Sequence, residues 1–361
     1  MRDSFVRVGG RPHAWKLFVL LGLFAIVVSA CGGSKGSPTE PGSNPPAGFT
    51  APSGLAIAEV SVNDRTTTFT WNAVPGATGY VLEIGATTTG TEFAVITLEG
   101  GPTTHRATDM PVGISFARVR AKNASTTSAA GSEMRFVVPD MRDIIEALFF
   151  QTGPNRYTDP NGNSGVGSSF MLAWAPGSNI RTRVAALNDQ EHGHVERSLQ
   201  QVEEATNGSV RGSIVERLTE PFAPNNMLAA GELRVVVDPD MQGYCGNATV
   251  AGCAGWGITP PAFFVTRSSV KVRPAQSADV FMHELGHSVL GLQHIQLGPW
   301  RNLSETSWPG LPRPIMFPSS SVGPALLTPT ELDAIKMVYA AGLRGGARRS
   351  DFYAAGLINN P

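Results

Sequence analysis

The sequence has few charged residues, few cysteines and almost no long apolar run. Only 16% of its 361 residues are charged, and 28 lysines and arginines nearly balance 29 aspartates and glutamates. Because a nucleic-acid-binding protein needs a basic surface, this balance argues against a nucleic-acid partner. Glycine and proline are abundant instead, with 40 and 27 residues. This composition is typical of a strand- and loop-rich protein outside the cytoplasm, long enough for two domains with extensions.

Cysteine occurs three times, at Cys31, Cys245 and Cys253. In an oxidising compartment Cys245 and Cys253 can close a small loop, and we predict a disulfide between them. Metal binding is the alternative for this pair, but their spacing fits no common zinc motif.

The one long apolar run lies at the N terminus, from Leu17 to Val28, after several basic residues. It is short for a membrane span but suits the core of a secretory signal. It ends in Val28-Ser29-Ala30-Cys31, which resembles the lipobox of bacterial lipoproteins. The resemblance implies a signal peptide over residues 1–30 and a lipid on Cys31 that anchors the protein in the bacterial cell envelope, at the outer membrane if the organism is Gram-negative. An ordinary secreted protein or an uncleaved anchor stays open.

Two further regions follow this signal. Residues 31–50 are rich in glycine, serine and proline and form a flexible linker that cannot bury a core. Residues 51–138 contain short alternating runs with turn residues between them, which indicate an antiparallel β-sandwich. The clearest runs are residues 66–71, 79–84, 116–123 and 134–138.

Residues 51–138 resemble a fibronectin type III domain. The matching features are Trp71 in the second strand, the segment 73–80 after it and the segment 119–123 in the sixth strand. Phe116 stands where that family often has a tyrosine, so the usual corner hydrogen bond would be missing. Domains of this type are most often spacers or adhesion modules.

A mixed pattern of strands and helices occupies residues 139–345. Asp140 and Asn188 can each cap a helix, the second one longer. Strands are predicted at 170–174, 181–185, 213–217, 233–237 and 263–266. We expect His192 and His194 to be surface residues, because a spacing of two separates their helical faces by about 200°. Residues 346–361 are expected to form a loose tail.

The chemistry of the chain is concentrated in residues 283–294, His-Glu-Leu-Gly-His-Ser-Val-Leu-Gly-Leu-Gln-His. On a helix, His283 and His287 lie on one face, one turn apart, with Glu284 beside them. Two such imidazoles can share a tetrahedral Zn²⁺, and the carboxylate can act on a bound water. His294 cannot reach the same ion if the helix continues, because it would lie more than about 10 Å further along the axis. Gly291 can end the helix, since glycine tolerates the left-handed conformation that turns the chain back.

This stretch resembles the zinc-binding signature of the metzincin metallopeptidases, and the segment 314–318 narrows the resemblance to the matrixins. The family has two residues between the second histidine and the glycine, whereas this sequence has three. Gln293 therefore occupies the position of the third ligand, but a neutral amide is a poor zinc ligand beside imidazole. We expect His294 to close the site, with the extra residue absorbed as a helical bulge or a tightened last turn.

The resemblance implies an α+β catalytic domain over residues 139–345, with a twisted mixed sheet, a long helix, a zinc-binding helix, a Met-turn and a C-terminal helix. Met316 is the candidate for the Met-turn. The C-terminal helix begins at a capping box, Thr328-Pro329-Thr330-Glu331.

The implied activity is peptide-bond hydrolysis. One zinc ion would be held by His283, His287 and His294, and Glu284 would be the general base for a metal-activated water. The substrate would be a peptide or protein lying along an edge strand within residues 250–266.

The leading prediction is thus a monomeric, lipid-anchored zinc endopeptidase. One rival is a catalytically inactive zinc-containing surface lipoprotein that binds or adheres through its fibronectin-like domain. Glu284 speaks against it, since a degenerate enzyme would be free to lose this residue. A structural surface protein with an adventitious histidine motif is the second rival. Calcium could bind in loops such as residues 159–163, although a plain turn also accounts for them.

Overall fold

The computed structural model describes residues 50–150, 156–158, 164–166, 170–222, 228–259, 264–295, 310–316 and 325–359. The predicted signal peptide, Cys31 and nearly all of the linker lie outside these ranges, as does the loop 159–163. Within the described ranges, no helix has the length and apolar character needed to cross a membrane.

Seven antiparallel strands form a sandwich between Ala56 and Val138. They are β1 (Ala56–Ser61), β2 (Thr66–Thr70), β3 (Gly79–Gly85), β4 (Ala94–Glu99), β5 (Thr104–Ala107), β6 (Gly113–Lys122) and β7 (Met134–Val138). One sheet has the order β1-β2-β5 and the other β4-β3-β6-β7. Phe69 and Phe136 pack edge to face with ring centroids 5.4 Å apart, and Trp71 packs on Tyr80 at 5.5 Å. The predicted sandwich is therefore present, with Phe69, Trp71, Tyr80 and Phe136 in its core.

The other elements include the strands of a five-stranded mixed sheet. They are α1 (Met141–Phe150), β8 (Arg156–Thr158), β9 (Ser164–Val166), β10 (Ser178–Ala185), α2 (Asp189–Ala205), β11 (Val210–Leu218), β12 (Glu232–Val237), α3 (Met241–Cys245), β13 (Gly252–Thr259), β14 (Phe264–Val272), α4 (Ala278–Leu285), a π-helix (Gly286–Leu290), α5 (Pro329–Ala340) and α6 (Arg349–Ala354). The sheet has the order β11-β10-β12-β14-β13. Its pairs are parallel except for β13, which runs antiparallel to β14 at one edge. The predicted α+β class is confirmed at this level.

The predicted helix cap at Asn188 and the predicted capping box at Thr328 both form, and Asn188 also belongs to a capping box. At the start of α2, the Asn188 side chain accepts from Glu191 N and the Glu191 side chain accepts from Asn188 N, both at 2.9 Å. Thr328 and Glu331 make the equivalent pair at the start of α5. Each box satisfies backbone N–H groups that a helix start leaves without partners.

His194 is not the surface residue that its spacing from His192 suggested. It is 7% exposed and lies against Phe281 of α4, with ring centroids 5.7 Å apart. The buried stripe of α2 is wider than its apolar residues alone indicate, because Glu191 and Ser198 are also buried. His194 lies between those two positions at helical spacing, and so it is buried with them.

Residues 170–174, predicted as a strand, make only isolated bridges. Phe170 pairs with Arg348 and Trp174 with Val265. Between these points Met171 N donates to Ala347 O at 2.7 Å. The segment is thus held between the C-terminal part of the chain and β14, and it pairs with each of them too briefly to form a ladder.

The expectation of a loose tail over residues 346–361 is wrong. Residues 349–354 form α6, and Phe352 is fully buried. Its ring lies 5.7 Å from that of Phe149 and 4.7 Å from that of Phe150. Leu357 and Ile358 are also buried. Six residues of helix are too few for a readable periodicity, so burial by α1 could not be anticipated from the sequence.

We predict that Phe352→Ala destabilises the protein by about 3–5 kcal/mol, because it removes a buried ring between two others. Chemical denaturation of the full chain measures this change. The control is Ser350→Ala on the exposed side of the same helix, which should change stability by less than about 0.5 kcal/mol. Equal, small effects of both substitutions would contradict the packing of α6.

Candidate metal centre

The candidate site begins on α4, whose last turn contains His283 and Glu284. The helix then widens into the π-helix Gly286–Leu290, which contains His287. Gly291 N donates to Gly286 O across five residues. Because a π-turn holds one more residue than an α-turn, the extra residue before Gly291 is accommodated here as a helical bulge.

Gly291 reverses the chain after this bulge. Its φ and ψ of 67° and 23° are left-handed, the conformation that glycine adopts without strain. A Cβ atom at this position would lie 1.3 Å from the carbonyl oxygen of Leu172. Both the backbone angle and the close approach of residues 170–174 therefore require glycine. The reversal brings His294 back to the end of the helix.

The three imidazoles meet at their Nε2 atoms. The Nε2 atom of His283 lies 3.0 Å from that of His294 and 3.2 Å from that of His287, and the His287–His294 distance is 3.1 Å. Ligand atoms bound tetrahedrally at about 2.0–2.1 Å from a zinc ion would be about 3.3 Å apart. His283, His287 and His294 thus lie close enough to hold one metal ion.

Hydrogen bonds set the protonation of two of these rings. His283 Nδ1 donates to Ile315 O at 2.7 Å and His287 Nδ1 donates to Leu292 O at 2.6 Å. A carbonyl oxygen only accepts, so each proton is on Nδ1 and each Nε2 presents a lone pair. Lone pairs facing one another repel, and a shared cation would remove that repulsion. The donor set therefore fits a metal ion that imidazole suits, such as zinc, copper, iron or nickel.

Burial keeps the cluster neutral. It lowers the pKa of His283 and His287, and it lowers that of His294 to about 3. Neutral imidazole is the form that binds a metal, so no proton needs to be displaced from these Nε2 atoms near pH 7.

Gln293 lies apart from this cluster. Its backbone N–H donates to Leu148 O at 2.6 Å, and its side-chain amide donates to Gly291 O at 3.2 Å. The amide is thus used within the turn. Of the two candidates for the third position, the structure places His294 at the metal cluster.

Glu284 is buried next to the cluster and beside the edge strand β13. A Cβ atom at Gly252 would lie 2.8 Å from Glu284 Cγ and 2.9 Å from its Oε1. Burial raises the pKa of Glu284 from 4.5 to about 8, because the charged form loses hydration. Only a residue without a side chain fits opposite this carboxyl group.

The predicted disulfide joins Cys245 and Cys253, whose sulfur atoms are 2.03 Å apart. Cys253 follows Gly252 in β13, and Cys245 ends α3. The disulfide therefore links the part of β13 that approaches Glu284 to the preceding helix.

Met316 is fully buried against the π-helix that contains His287. A Cβ atom at Gly286 would lie 2.7 Å from its sulfur atom. The preceding residue, Ile315, supplies the carbonyl that accepts from His283. The following residue, Phe317, lies outside the described part of the chain.

Several residues of the site were not found from the sequence. Leu292 and Ile315 orient two imidazoles through their carbonyl groups, which any residue type could provide. Trp174 Nε1 donates to Ser288 O at 3.2 Å, a carbonyl of the π-helix. Glu331 accepts hydrogen bonds from the backbone at Ile315 and Met316. Its capping box marked it as a helix start and gave no indication of this second contact.

No family model matches the sequence. No curated protein matches it either. Fibronectin type III-like structures cover about a quarter of the chain, with TM-scores of 0.20–0.24.

Three such structures illustrate this likeness. The fibronectin type III domain of the human collagen alpha-1(XX) chain is 21% identical, with 27% of this chain and 91% of that chain covered and a TM-score of 0.22. An Fn3-like protein from Clostridium thermocellum is 23% identical, with coverages of 25% and 92% and a TM-score of 0.20. The third fibronectin III domain of the human KIAA0343 protein is 20% identical, with coverages of 30% and 94% and a TM-score of 0.24.

We predict that Gly291→Ala weakens metal binding and destabilises the fold, because the added methyl group overlaps the backbone of Leu172. The matched control is Gly342→Ala at the end of α5, which has a φ of 81° and no atom within 4 Å of an added Cβ. The control should lose only the stability that alanine forfeits in the left-handed conformation, about 1–2 kcal/mol, and its metal affinity should be unchanged. Calorimetric zinc titration and chemical denaturation measure both effects. Equal losses in the two variants would show that the contact with Leu172 is unimportant.

Glu284 should make the metal-free protein less stable as the pH rises. Between pH 4.5 and about 8 the folded chain keeps a proton on Glu284 that the unfolded chain has lost. The contribution of Glu284 to the free energy of unfolding therefore falls with pH, by up to about 1.4 kcal/mol per pH unit in this window.

The measurement is chemical denaturation of the metal-free wild type and Glu284→Gln at several pH values in this window. The difference between them isolates Glu284, since the three histidines titrate alike in both. Stability of the wild type relative to Glu284→Gln should fall as pH rises, and a constant difference would contradict the burial of an unpaired carboxyl group.

Proposed function

We propose that residues 139–345 form a zinc-dependent endopeptidase of the metzincin class, similar to the matrixins, that hydrolyses peptide bonds. The observation that carries this proposal is the meeting of three neutral imidazoles beside a buried glutamate. His283, His287 and His294 would hold the ion, and the cluster contains these three ligands among the described residues. Three protein ligands leave a coordination position open, as in catalytic rather than structural zinc sites.

Zinc, when bound, would supply Lewis-acid chemistry that polarises the peptide carbonyl group and lowers the pKa of a water molecule towards 7. The chain's own contribution is the placement of a proton acceptor. Glu284, whose pKa burial raises to about 8, would ionise more readily beside a divalent cation. Its carboxylate would take a proton from the attacking water and later deliver it to the amine nitrogen of the leaving group. No covalent intermediate with the protein is required.

The substrate is proposed to be an extended peptide segment lying along β13. This strand is at the edge of the sheet and pairs with β14 on its other side. An extended chain can add to such an edge through main-chain hydrogen bonds. Gly252, at the start of β13, lies next to Glu284, so a peptide bound along this edge would pass close to the carboxyl group.

We further propose that the enzyme is a monomer anchored in the bacterial cell envelope through a lipid on Cys31. The support is the sequence before the linker, with its apolar core and lipobox. The disulfide between Cys245 and Cys253 agrees with folding in an oxidising compartment.

A binding or adhesion lipoprotein with an inactive zinc site is the alternative. One observation favours it: four large apolar side chains that are more than 40% exposed, Phe93, Val95, Val112 and Ile114, belong to the sandwich. Where such side chains form one contiguous patch, they are typical of protein contact surfaces. On this alternative, the chain would bind zinc and a partner protein without cleaving peptides.

The test is an assay of the full chain, loaded with zinc, against a mixed peptide library, with metal analysis of the same sample. We expect about one zinc per chain and cleavage that a chelator abolishes. Glu284→Ala should keep the metal and lower turnover by a factor of about 100 or more, since general base catalysis contributes about 10²–10⁴-fold.

Two further variants serve as matched controls for the metal site. His294→Ala should lose the metal, whereas the adjacent Gln293→Ala should keep it, because the Gln293 amide bonds within the turn. Zinc binding without any cleavage would favour the binding protein. A chain that binds no zinc would exclude both functions.

A further inference from the structure

Glu331 has more hydrogen bonds than a helix cap requires. Its Oε2 atom accepts from Thr328 N at 2.9 Å and from Thr328 Oγ1 at 2.8 Å, which completes the capping box. The same carboxylate reaches back to the segment before α5. Oε2 also accepts from Ile315 N, and Oε1 accepts from Met316 N, both at 3.0 Å. Glu331 is 1% exposed, so these bonds form away from water.

One of these bonds leads directly to the metal cluster. Met316 N and Ile315 O belong to the same peptide group. Its N–H donates to Glu331 Oε1, and its carbonyl oxygen accepts from His283 Nδ1 at 2.7 Å. A carboxylate at the N–H end of a peptide group increases the negative charge on its carbonyl oxygen, because hydrogen bonds in a chain polarise one another. The carbonyl oxygen then accepts more strongly from the imidazole.

We propose that Glu331 is a positioning residue for the metal ligand His283, acting through the peptide group between Ile315 and Met316. It fixes the plane of that peptide group, and the peptide group fixes the His283 ring with its proton on Nδ1. The same bonds make His283 Nε2 a better electron donor. Hydrogen-bonding partners of this kind raise the basicity of a metal-binding histidine and hold its ring orientation.

The chain contains a second capping box for comparison. Glu191 caps α2 through Asn188 N, and its other oxygen accepts from Ala275 N at 3.2 Å. It is also buried, at 4% exposure. Glu191 therefore shares the burial, the helix cap and the link to a distant backbone N–H group, but none of its hydrogen bonds leads to an imidazole.

The substitution Glu331→Gln separates the helix cap from the hydrogen bond that Glu331 accepts from the peptide group between Ile315 and Met316. Glutamine is compatible with a capping box, and its oxygen can take the place of Oε2. Its NH₂ group then faces Met316 N–H, so that two donors oppose each other and the bond to the peptide group is lost. The inference rests on metal binding by the three histidines, which is one part of the proposed function, and it does not depend on peptidase activity.

The experiment measures the zinc affinity of the full chain, wild type and variants, by competition with a chromogenic chelator. The absorption spectrum of the Co²⁺-loaded protein and the unfolding free energy of the metal-free protein are measured alongside. Glu331→Gln should bind zinc about 10- to 100-fold more weakly and change the Co²⁺ spectrum. Glu191→Gln should alter stability without altering the affinity or the spectrum.

Equal affinity of Glu331→Gln and wild type would overturn the proposal. So would an equal loss in Glu191→Gln, because that result would indicate a general loosening of the fold. If Glu331→Gln does not fold, Glu331→Asp replaces it. Aspartate keeps the charge but withdraws the carboxylate by about 1.5 Å, from Met316 N and from the cap alike, and unchanged zinc affinity of Glu331→Asp would also overturn the proposal. A wild type that binds zinc but cleaves no peptide would refute the peptidase alone, whereas a wild type without zinc affinity would refute both.

Discussion

The three histidines meet only because the chain reverses directly after the helix that contains two of them. His283 and His287 share a helical face, but His294 reaches them only because the backbone turns back at Gly291. The left-handed conformation and the carbonyl group of Leu172, 1.3 Å from where a Cβ would lie, both restrict this position to glycine. The π-helix before it accommodates the residue by which this chain is longer than the metzincin pattern. The geometry of the cluster therefore follows from backbone constraints as much as from the ligands themselves.

Those parts of the site that follow helical periodicity could be predicted from the sequence. The shared face of His283 and His287, the adjacent Glu284, the helix cap at Asn188 and the capping box at Thr328 depend on local spacing alone. The sandwich could be predicted because its alternating runs are separated by turn residues. The chemistry of imidazole and amide groups favours His294 over Gln293 at the third position, and His294 is the side chain that lies beside His283 and His287.

What could not be predicted depends on contacts between distant segments. Whether the extra residue before Gly291 forms a bulge or a tightened turn depends on the hydrogen-bond partners of the carbonyl groups of residues 288 and 289. Trp174 is one such partner. The burial of His194 depends on the packing of α2 against α4, and that of Phe352 on α1. Carbonyl groups such as that of Ile315 have no sequence signature at all, since every residue type carries one.

The segments that support the three histidines lie far apart along the chain. Leu172 approaches the turn at Gly291, and the Ile315 carbonyl accepts from His283. Glu331 holds the peptide group after Ile315, and Ala347 holds the segment next to Leu172. Contacts this far apart in sequence require the closure of long loops, which costs conformational entropy. In small zinc domains the metal ion drives folding of an otherwise unfolded chain. Here the geometry of the three histidines depends on segments from Leu172 to Ala347, so uptake of an ion would report that these distant segments are in place together.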